Sequence, residues 1–278
     1  MKYKLIAIDL DGTLLTDNKK LLKENKRILK LLNDMSVEIV IATGRRYWAA
    51  KNFVKELNMD LVVMANNGNI VRKIDDDSIL VSKYLDKDDF FKLIKKGKDK
   101  SLYPVIHVDH YDEGYDIIIE LDINNEKYSK YMHNNLERFR QIESISDYEN
   151  PKVLSVCYMS DYEILKKFEN NLKNKFPNKY NSHIMNNTPT VGPILEVMNP
   201  LGSKWTSLKE YALDKGINID EIIAIGDDNN DVEMIQNAGL GIGMKNCSQA
   251  VKKVADIITD KNNNEAGVAS ILKKIYKL

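Results

Sequence analysis

Three short apolar segments of the chain each end directly in a polar motif. The segments are residues 3–8, 37–41 and 222–225. Apolar residues that run continuously, rather than alternating with polar ones, indicate strands buried on both faces of a parallel sheet. Helical patterns at residues 24–35 and 203–215 precede the second and third segments. The sequence therefore predicts an α/β fold, a Rossmann-like parallel sheet core with helices on both faces.

The middle of the chain shows a different pattern. Residues 84–187 are richer in Tyr, Asn and Lys, and candidate strands and helices are mixed there without acidic motifs at the strand ends. A length of about 100 residues is typical of a domain. We therefore expect an α+β domain at residues 84–187, inserted into a core formed by residues 1–83 and 188–278.

Aspartates follow two of the three apolar segments. They are Asp9, Asp11, Asp227, Asp228 and Asp231. Ligands of an open parallel sheet bind outside the carboxyl ends of its strands, so these carboxylates are expected to meet in one crevice. Grouped carboxylates raise one another's pKa unless a cation lies among them. Their oxygen atoms favour Mg2+, and zinc is disfavoured because no His or Cys lies near these motifs.

The remaining motif residues suit a phosphoryl group. Thr43, Gly44 and Arg45 follow the second apolar segment, and Lys204 lies at the start of a predicted helix. Threonine hydroxyls and backbone N–H groups bond phosphate oxygens, while lysine supplies a positive charge. One carboxylate could attack phosphorus to form an aspartyl-phosphate, and a second could protonate the leaving oxygen and later deprotonate water. These residues predict Mg2+-dependent phosphoryl transfer.

Four stretches of the chain resemble the motifs of the haloacid dehalogenase (HAD) superfamily of phosphatases, which use an aspartate nucleophile. Residues 9–14, Asp-Leu-Asp-Gly-Thr-Leu, resemble the first motif, and residues 43–45, Thr-Gly-Arg, resemble the second. Lys204 resembles the third, and residues 226–231, Gly-Asp-Asp-Asn-Asn-Asp, resemble the fourth. Their order and spacing are similar to those of the Cof-type branch, in which a large α+β cap of type IIB lies between the second and third motifs.

The resemblance implies a role for each matching residue. Asp9 would be the nucleophile, and Asp11 would be the general acid and base. Mg2+ would be held by Asp9, Asp227 and the backbone carbonyl of Asp11. The implied phosphate ligands are Leu10 through its backbone, Thr43, Gly44, Lys204 and Asn230. The implied supporting residues are Asp231, which would orient Lys204 or a metal-bound water, together with Asp228 and Arg45. The inserted domain would select the substrate.

Histidine and cysteine residues offer a second kind of chemistry. Residues 107–110, His-Val-Asp-His, would bind a metal if their side chains converged. Residues three apart on a strand lie on opposite faces, so solvated or substrate-facing histidines are the favoured interpretation. Neither Cys157 nor Cys247 is followed by the arginine that a cysteine-nucleophile phosphatase needs. Both are expected to be small buried or neutral residues.

Composition limits the partners of the chain. The 41 Lys and Arg residues balance the 41 Asp and Glu residues, so no net charge attracts nucleic acid or an anionic membrane. The apolar segments are too short to span a bilayer. Two cysteines far apart in sequence argue against a disulfide framework and favour a cytoplasmic location. The expected partner is a small phosphorylated metabolite, and the sequence leaves the oligomeric state open.

The function expected from these features is Mg2+-dependent hydrolysis of small phosphate monoesters, such as sugar phosphates, through an aspartyl-phosphate intermediate. Two alternatives stay open. A phosphometabolite-binding or regulatory protein would keep the fold without turnover, although Asp9, Asp11, Lys204 and Asp227 are all retained. A phosphomutase would pass the phosphoryl group to a sugar hydroxyl, and it would have to hold its intermediate in two orientations.

Overall fold

The computed structural model describes residues 2–126, 128–133, 137–149, 151–185 and 191–278. The chain divides into two compact units, of which the first contains Met1–Ser82 and Ser203–Leu278 and the second contains Lys83–Gly202. The second unit therefore interrupts the first in the order of the chain.

The strands, in chain order, are β1 (Leu5–Asp9), β2 (Glu38–Ala42), β3 (Val62–Ala65), β4 (Ile70–Lys73), β5 (Ile79–Ser82), β6 (Val105–His110), β7 (Tyr115–Ile119), β8 (Phe139–Gln141), β9 (Val153–Met159), β10 (Asn181–Met185), β11 (Ile194–Met198), β12 (Ile222–Gly226), β13 (Leu240–Gly243) and β14 (Ile257–Ile258). The α-helices are α1 (Lys23–Asp34), α2 (Tyr47–Val54), α3 (Lys87–Lys98), α4 (Ser129–His133), α5 (Tyr162–Lys175), α6 (Lys204–Asp214), α7 (Val232–Asn237), α8 (Gln249–Val254) and α9 (Gly267–Tyr276). Within the described ranges, none of these helices has the length and apolar character needed to cross a membrane.

The first unit is built on an eight-stranded sheet in the order β14-β13-β12-β1-β2-β3-β4-β5. The strands from β14 to β3 run parallel, whereas β4 and β5 are antiparallel to their neighbours. All residues of β1 and β12 are buried, which explains why residues 5–8 of β1 and the whole of β12 are continuously apolar. The predicted α/β fold with a parallel sheet core is confirmed.

Helices α1 and α6 show how local sequence sets the elements that flank this sheet. Ile28 and Leu32, one turn apart on α1, are both buried, as expected for an amphipathic helix. Helix α6 begins at Lys204 because the side chain of Ser203 accepts a hydrogen bond from the backbone N–H of Thr206, which is a typical N-cap. This cap places Lys204 in the first turn of the helix.

The second unit is built on a six-stranded sheet in the order β10-β11-β9-β6-β7-β8. Its strand pairs are antiparallel, except that β7 and β8 are parallel. One face packs against α3 and α5, in a core that includes Phe90 and Phe168. Because successive residues of a strand lie on opposite faces, Val156 belongs to that core, whereas Cys157 belongs to a smaller cluster with Met132 on the other face.

The second unit ends beyond the boundary expected from the sequence. The expected boundary at 187/188 lies outside the described residues, and residues 188–202 were expected in the core. The structure instead places β11 in the second sheet, between β9 and β10, and the unit ends at Gly202. The physical reason is backbone hydrogen bonding, because antiparallel pairing on both edges satisfies the N–H and C=O groups of β11. At its start, the unit begins at Lys83 rather than at residue 84.

Candidate active site

The carboxyl ends of β1 and β12 lie side by side and bring three aspartates together. The two strands are parallel neighbours, with Ile8 opposite Ile225. Asp9 ends β1, and Asp227 follows β12 directly. Carboxylate oxygens of Asp9, Asp227 and Asp231 lie within 4.8 Å of one another. The structure therefore brings together three of the five aspartates that were expected to share one crevice.

Lys204 is the buried cation of this cluster. Its Nζ donates hydrogen bonds to Oδ1 of Asp9 and to Oδ1 of Asp231, at 2.7 Å each. The residue is 1% exposed, so both ion pairs are shielded from water. Burial by itself lowers the pKa of Lys204, but the charges of Asp231 and Asp9 outweigh burial and raise this pKa. Lys204 therefore stays charged and neutralises part of the carboxylate charge around it.

Asp231 organises the loop that follows β12. Its Oδ2 accepts hydrogen bonds from the backbone N–H of Asp227, at 3.0 Å, and of Asp228, at 3.1 Å. A Cβ at Gly226 would lie 2.4 Å from the carboxylate carbon of Asp231, so glycine is needed at that position for the two groups to approach. Asp231 thus orients the ammonium group of Lys204 and the backbone of Asp227 at the same time.

The cluster carries more negative than positive charge. Burial raises the pKa of Asp9 well above its ordinary value, and the charges of Asp231 and Asp227 add to burial against the opposing effect of Lys204. Burial also raises the pKa of Asp227 to about 7, although a 2.6 Å hydrogen bond from Oγ1 of Thr13 acts in the opposite direction. Three carboxylates share one ammonium group, so a divalent cation would balance the charge that remains.

The donor atoms of this cluster fit a hard divalent cation. All of them are carboxylate oxygens, the donor type that Mg2+ takes in proteins. Among the described residues, the cluster includes no His or Cys, which are the preferred ligands of zinc. The backbone beside it leaves space, because Gly12 has a φ of +78° and a Cβ there would lie 2.3 Å from Oδ2 of Asp227. The site therefore suits a divalent metal ion with oxygen ligands.

The carboxylate of Asp11 lies in an ion-pair cluster of its own. Arg45 donates from Nε and Nη2 to its two oxygens, at 2.5 and 2.7 Å, and Nζ of Lys19 lies 2.6 Å from Oδ1. Burial alone would raise the pKa of Asp11, but the hydrogen bonds and charges of Arg45 and Lys19 outweigh burial and lower it. Asp11 is therefore an anion in this arrangement. Lys19 was missed by sequence reasoning because it lies outside every motif.

The residues expected to bind phosphate are joined by Asn67, which the sequence analysis did not assign. Nδ2 of Asn230 donates to Oδ1 of Asn67 at 2.9 Å, and the backbone N–H of Asn67 donates to the carbonyl oxygen of Thr43 at 3.0 Å. A Cβ at Gly44 would lie 3.1 Å from the same Oδ1. Thr43, Gly44 and Asn230 therefore surround one asparagine beside the end of β2.

Asn67 and Thr13 are the other site residues to which the sequence assigned no role. Asn67 has a φ of +53°, a left-handed conformation that asparagine adopts more readily than most residues. Its place in an Asn-Asn-Gly sequence, residues 66–68, was the signal that could have found it. Thr13 is fully buried and belongs to the first motif, where its hydrogen bond to Asp227 links the first motif to the fourth.

Leu10 and Asp228 lie at the margin of the site. Leu10 is 0% exposed over the whole residue, and its carbonyl oxygen accepts a hydrogen bond from the backbone N–H of Leu15 at 2.8 Å. Asp228 is exposed, and its Oδ1 accepts a hydrogen bond from the backbone N–H of Asn229 at 2.8 Å. The contacts of Asp228 are therefore those of a cap for the short helical turn that follows it.

The histidines of β6 are not solvated. His107 and His110 are 5% and 4% exposed, because β6 lies inside the second sheet and every residue of the strand is buried. Of the two alternatives expected for these histidines, the solvated one is therefore wrong, and the substrate-facing one stays a prediction. Cys157 and Cys247 are free thiols in buried positions, as expected.

The comparisons with known proteins agree with this geometry. The haloacid dehalogenase-like hydrolase family matches residues 6–272 of the chain. The 5-amino-6-(5-phospho-D-ribitylamino)uracil phosphatase YcsE of Bacillus subtilis (strain 168) is 29% identical over 273 residues, which cover 97% of this chain and 94% of YcsE. A second phosphatase of that name from the same organism, YwtE, is 28% identical over 291 residues and 98% of each chain.

Solved structures give the same result. The crystal structure of a haloacid dehalogenase-like hydrolase from Bacteroides thetaiotaomicron matches with a TM-score of 0.82 and 26% identity, over 98% of this chain and 99% of the other. The family match extends over nearly the whole chain. It includes the aspartates Asp9, Asp227 and Asp231, which lie at the carboxyl ends of β1 and β12 in the first sheet. This chain therefore belongs to the haloacid dehalogenase-like hydrolase family and is a Cof-type phosphatase.

Proposed function

We propose that this phosphatase hydrolyses small phosphate monoesters, such as sugar phosphates, in a Mg2+-dependent reaction with Asp9 as the nucleophile. The observation that carries the proposal is the convergence of Asp9, Asp227 and Asp231 on the buried ammonium group of Lys204. Phosphoryl transfer depends mainly on positioning and on positive charge placed around the transferred group. Lys204 positions the nucleophile Asp9. Its ammonium group, together with a divalent cation held by the neighbouring carboxylates, would supply the positive charge.

In the first step, a carboxylate oxygen of Asp9 attacks phosphorus and the bond from phosphorus to the leaving oxygen breaks. An aspartyl-phosphate forms, and Asp11 delivers a proton to the leaving oxygen. The phosphoryl oxygens are bound by the ligands implied above, which are the backbone of Leu10, Thr43, Gly44, Lys204 and Asn230.

In the second step, a water molecule loses a proton to Asp11 and attacks the phosphorus of the aspartyl-phosphate. The bond from phosphorus to the Asp9 oxygen then breaks, which releases inorganic phosphate and restores the Asp9 carboxylate. Asp11 ends this step protonated, as the first step requires, so the cycle closes without another proton donor.

The residues that would hold Mg2+ are Asp9, Asp227 and the backbone carbonyl of Asp11. When bound, the ion supplies positive charge that offsets the carboxylates and the phosphoryl oxygens. Asp231 supports this arrangement through its hydrogen bonds to the Asp227 backbone and to Lys204. Exposed Asp228 contributes negative charge at the edge of the same loop.

Asp11 has to leave its ion pairs for the acid step of this mechanism. While Arg45 and Lys19 hold its carboxylate, their charges lower the pKa of Asp11 and keep it as the anion, which has no proton to donate to the leaving oxygen. Delivery of a proton requires the protonated carboxyl group to turn away from both cations. Arg45 is therefore a residue that controls which role Asp11 plays.

The substrate class is proposed from the relatives. The compound in the names of YcsE and YwtE carries a phospho-D-ribityl group, which is a small sugar-like phosphate monoester. In this proposal the second unit, Lys83–Gly202, is the cap that selects the substrate. The protein acts on metabolites in the cytoplasm, where its two cysteines stay as thiols.

The test is phosphate release from an aryl phosphate and a panel of sugar phosphates, with Mg2+ or with a chelator. We expect turnover only with Mg2+, and a loss of about 10³-fold or more in Asp9→Asn. The exposed Asp34 provides the matched control, because Asp34→Asn removes a carboxylate far from the proposed chemistry and should keep full activity. Borohydride reduction of quenched reactions should convert residue 9, and no other aspartate, to homoserine.

Three outcomes would contradict the proposal. A fully active Asp9→Asn variant would exclude the nucleophile. A silent wild type whose melting temperature rises with a sugar phosphate would favour a binding protein. Transfer of phosphate to an added hexose, in place of release to water, would favour a phosphomutase.

A further inference from the structure

A row of polar side chains crosses one face of the second sheet. On β10 and β11, His183 lies opposite Glu196, and on β11 and β9, Glu196 lies opposite Cys157. On β6 and β9, His107 lies opposite Ser155, two residues from Cys157. Residues that are opposite on neighbouring strands share a face, as do residues two apart on one strand. His183, Glu196, Cys157 and His107 therefore stand on the same face.

Three of these side chains converge in a buried position. A ring nitrogen of His107, Sγ of Cys157 and a carboxylate oxygen of Glu196 lie within 4.8 Å of one another. The three residues are 5%, 2% and 3% exposed. Nε2 of His183 lies 3.3 Å from Oε2 of Glu196, is shielded from solvent, and has no hydrogen-bond partner among the described residues.

The surroundings of this grouping are apolar. Cys157 belongs to an apolar cluster that includes Val105, Ile117 and Ile194. Burial and the neighbouring charge of Glu196 raise the pKa of the Cys157 thiol well above its ordinary value, so the thiol keeps its proton. Buried carboxylates are usually paired or coordinate metals, because removing a charge from water is unfavourable. A divalent cation at this position would take the carboxylate, the imidazole and the thiolate as ligands together.

We propose that His107, Cys157 and Glu196 bind a divalent transition metal ion of the zinc type in the second unit, with His183 placed to become a fourth ligand. The mixed nitrogen, sulfur and oxygen donors are typical of zinc and exclude magnesium, which takes oxygen ligands. Metal–ligand bonds of about 2.0–2.3 Å place tetrahedral donors about 3.3–3.8 Å apart, so donor atoms at the 4.8 Å limit would have to approach by about 1–1.5 Å to bind one ion. The Cys157 proton is released to solvent when the sulfur binds.

The neighbours of His107 are arranged to support such a ligand. Nδ1 lies 3.2 Å from Oγ of Ser155, and Nε2 lies 2.7 Å from the hydroxyl group of Tyr131. A histidine that binds a metal through one ring nitrogen usually keeps the other in a hydrogen bond that sets its orientation. Either nitrogen of His107 can therefore turn to the metal while a hydroxyl group holds the other.

This site is independent of the carboxylate cluster in the first unit. The first-unit cluster offers oxygen donors only, whereas the second-unit site depends on one thiolate. A thiolate ligand gives a spectroscopic signature that carboxylates lack. The proposal can therefore be tested without measuring phosphatase activity and without knowing the phosphatase substrate.

The test is titration of the purified full chain with Co2+ as the probe for zinc, in excess Mg2+ to occupy oxygen-only sites. We expect one Co2+ per chain with a sulfur-to-cobalt charge-transfer band, which stoichiometric Zn2+ removes. The band should disappear in Cys157→Ser and persist in Cys247→Ser, the matched control for the other thiol. Glu196→Gln and His107→Gln should weaken Co2+ binding at least tenfold.

Circular dichroism spectra of each variant establish that it is folded before its titration is interpreted. If a folded wild type gives no charge-transfer band at saturating Co2+, the row is a hydrogen-bonded part of the core and the proposal is overturned. A band that survives in Cys157→Ser would overturn it equally. Zn2+ binding to the wild type should also raise the melting temperature, and that increase should be absent in Cys157→Ser.

Discussion

Arg45 holds both carboxylate oxygens of Asp11, with N–O distances of 2.5 and 2.7 Å. Its Cζ lies 4.4 Å from the centre of the Phe53 ring, a cation–π contact that steadies the guanidinium group. Two parallel hydrogen bonds from a planar guanidinium are among the more strongly oriented ion pairs in proteins. Arg45, in the second motif, thus holds Asp11, the residue of the first motif that is proposed as acid and base.

Replacement of Arg45 tests the strength of this ion pair. Arg45→Met removes both hydrogen bonds, and we expect the free energy of unfolding to fall by about 1 kcal/mol, since Asp11 is partly exposed and water screens the charges. Lys19→Met is the matched control, because Lys19 is half exposed and makes one contact, so the loss should stay below about 0.5 kcal/mol. Urea unfolding measures the loss in free energy of unfolding in each of the two variants. Equal losses in the two variants would contradict a dominant role for Arg45.

Removal of the Lys204 ammonium group should damage both stability and turnover. Lys204→Met leaves Asp9 and Asp231 buried without their cation, and breaking such a pair typically costs about 3–5 kcal/mol. Loss of a charged donor to the phosphoryl group should also lower kcat by about 10²–10³-fold. Urea unfolding and steady-state kinetics give the two readouts.

A double variant separates the two effects of Lys204. Lys204→Met with Asp231→Asn removes one of the uncompensated charges, so part of the lost stability should return. Turnover should stay low, because no ammonium group is restored beside Asp9. Recovery of turnover together with stability would show that Lys204 acts only through folding.

A methyl group at position 12 tests the space beside Asp227. Gly12→Ala places a Cβ 2.3 Å from Oδ2 of Asp227, and we expect at least a tenfold weaker response to Mg2+ in activity and in melting temperature. Gly216→Ala is the matched control. Gly216 also has a positive φ, of +68°, but nothing lies within 4 Å of a Cβ there.

Both glycine variants should lose about 1–2 kcal/mol of stability to backbone strain, because an alanine strains the left-handed backbone at either position. Gly12→Ala should lose more than this, because its Cβ also meets the Asp227 carboxylate. Only Gly12→Ala should lose its response to Mg2+. If Gly216→Ala loses that response equally, backbone strain and not the contact with Asp227 is responsible.

Glu169 should make the stability of the second unit depend on acid pH. The residue is buried, and its carboxylate accepts hydrogen bonds from Lys166 at 2.8 Å and from Lys173 at 2.7 Å. Burial alone would raise its pKa, but the two lysines lower it below the ordinary value of 4.5. A lowered folded-state pKa contributes stability that is fully present above about pH 4.5 and is lost as the pH falls through the folded-state pKa.

The measurement is urea unfolding at several pH values below and above 4.5. Glu169→Gln should cost about 1 kcal/mol near neutral pH, and the difference from wild type should shrink as the pH falls. Glu163→Gln, at an exposed position of the same helix, should change the stability by less than about 0.5 kcal/mol. A difference that grows with acidity would contradict the argued direction.

The buried strands of the first sheet could be predicted from local sequence pattern alone. The continuous apolar runs at β1 and β12 predicted buried parallel strands, and a residue that directly follows such a strand has to lie at its carboxyl end. Asp9 and Asp227 could therefore be placed together from the sequence. The N-cap serine before Lys204 likewise lies next to the residue it positions.

Other features depended on partners that are distant in the chain. The ion pair of Asp11 with Arg45 joins residues 34 positions apart. The placement of β11 in the second sheet follows from strand register and from edge hydrogen bonds, which no local window contains. The same holds for His107, Cys157 and Glu196, whose convergence comes from three strands.

The sequence by itself determined the strands of the core, their parallel arrangement and the residues that follow them, because burial on both faces of a sheet leaves a local and continuous apolar signature. Only the tertiary structure decided which charges pair, where the second unit ends and which side chains meet on its sheet. Those outcomes depend on the register between strands, and a shift of one residue would turn every side chain to the opposite face.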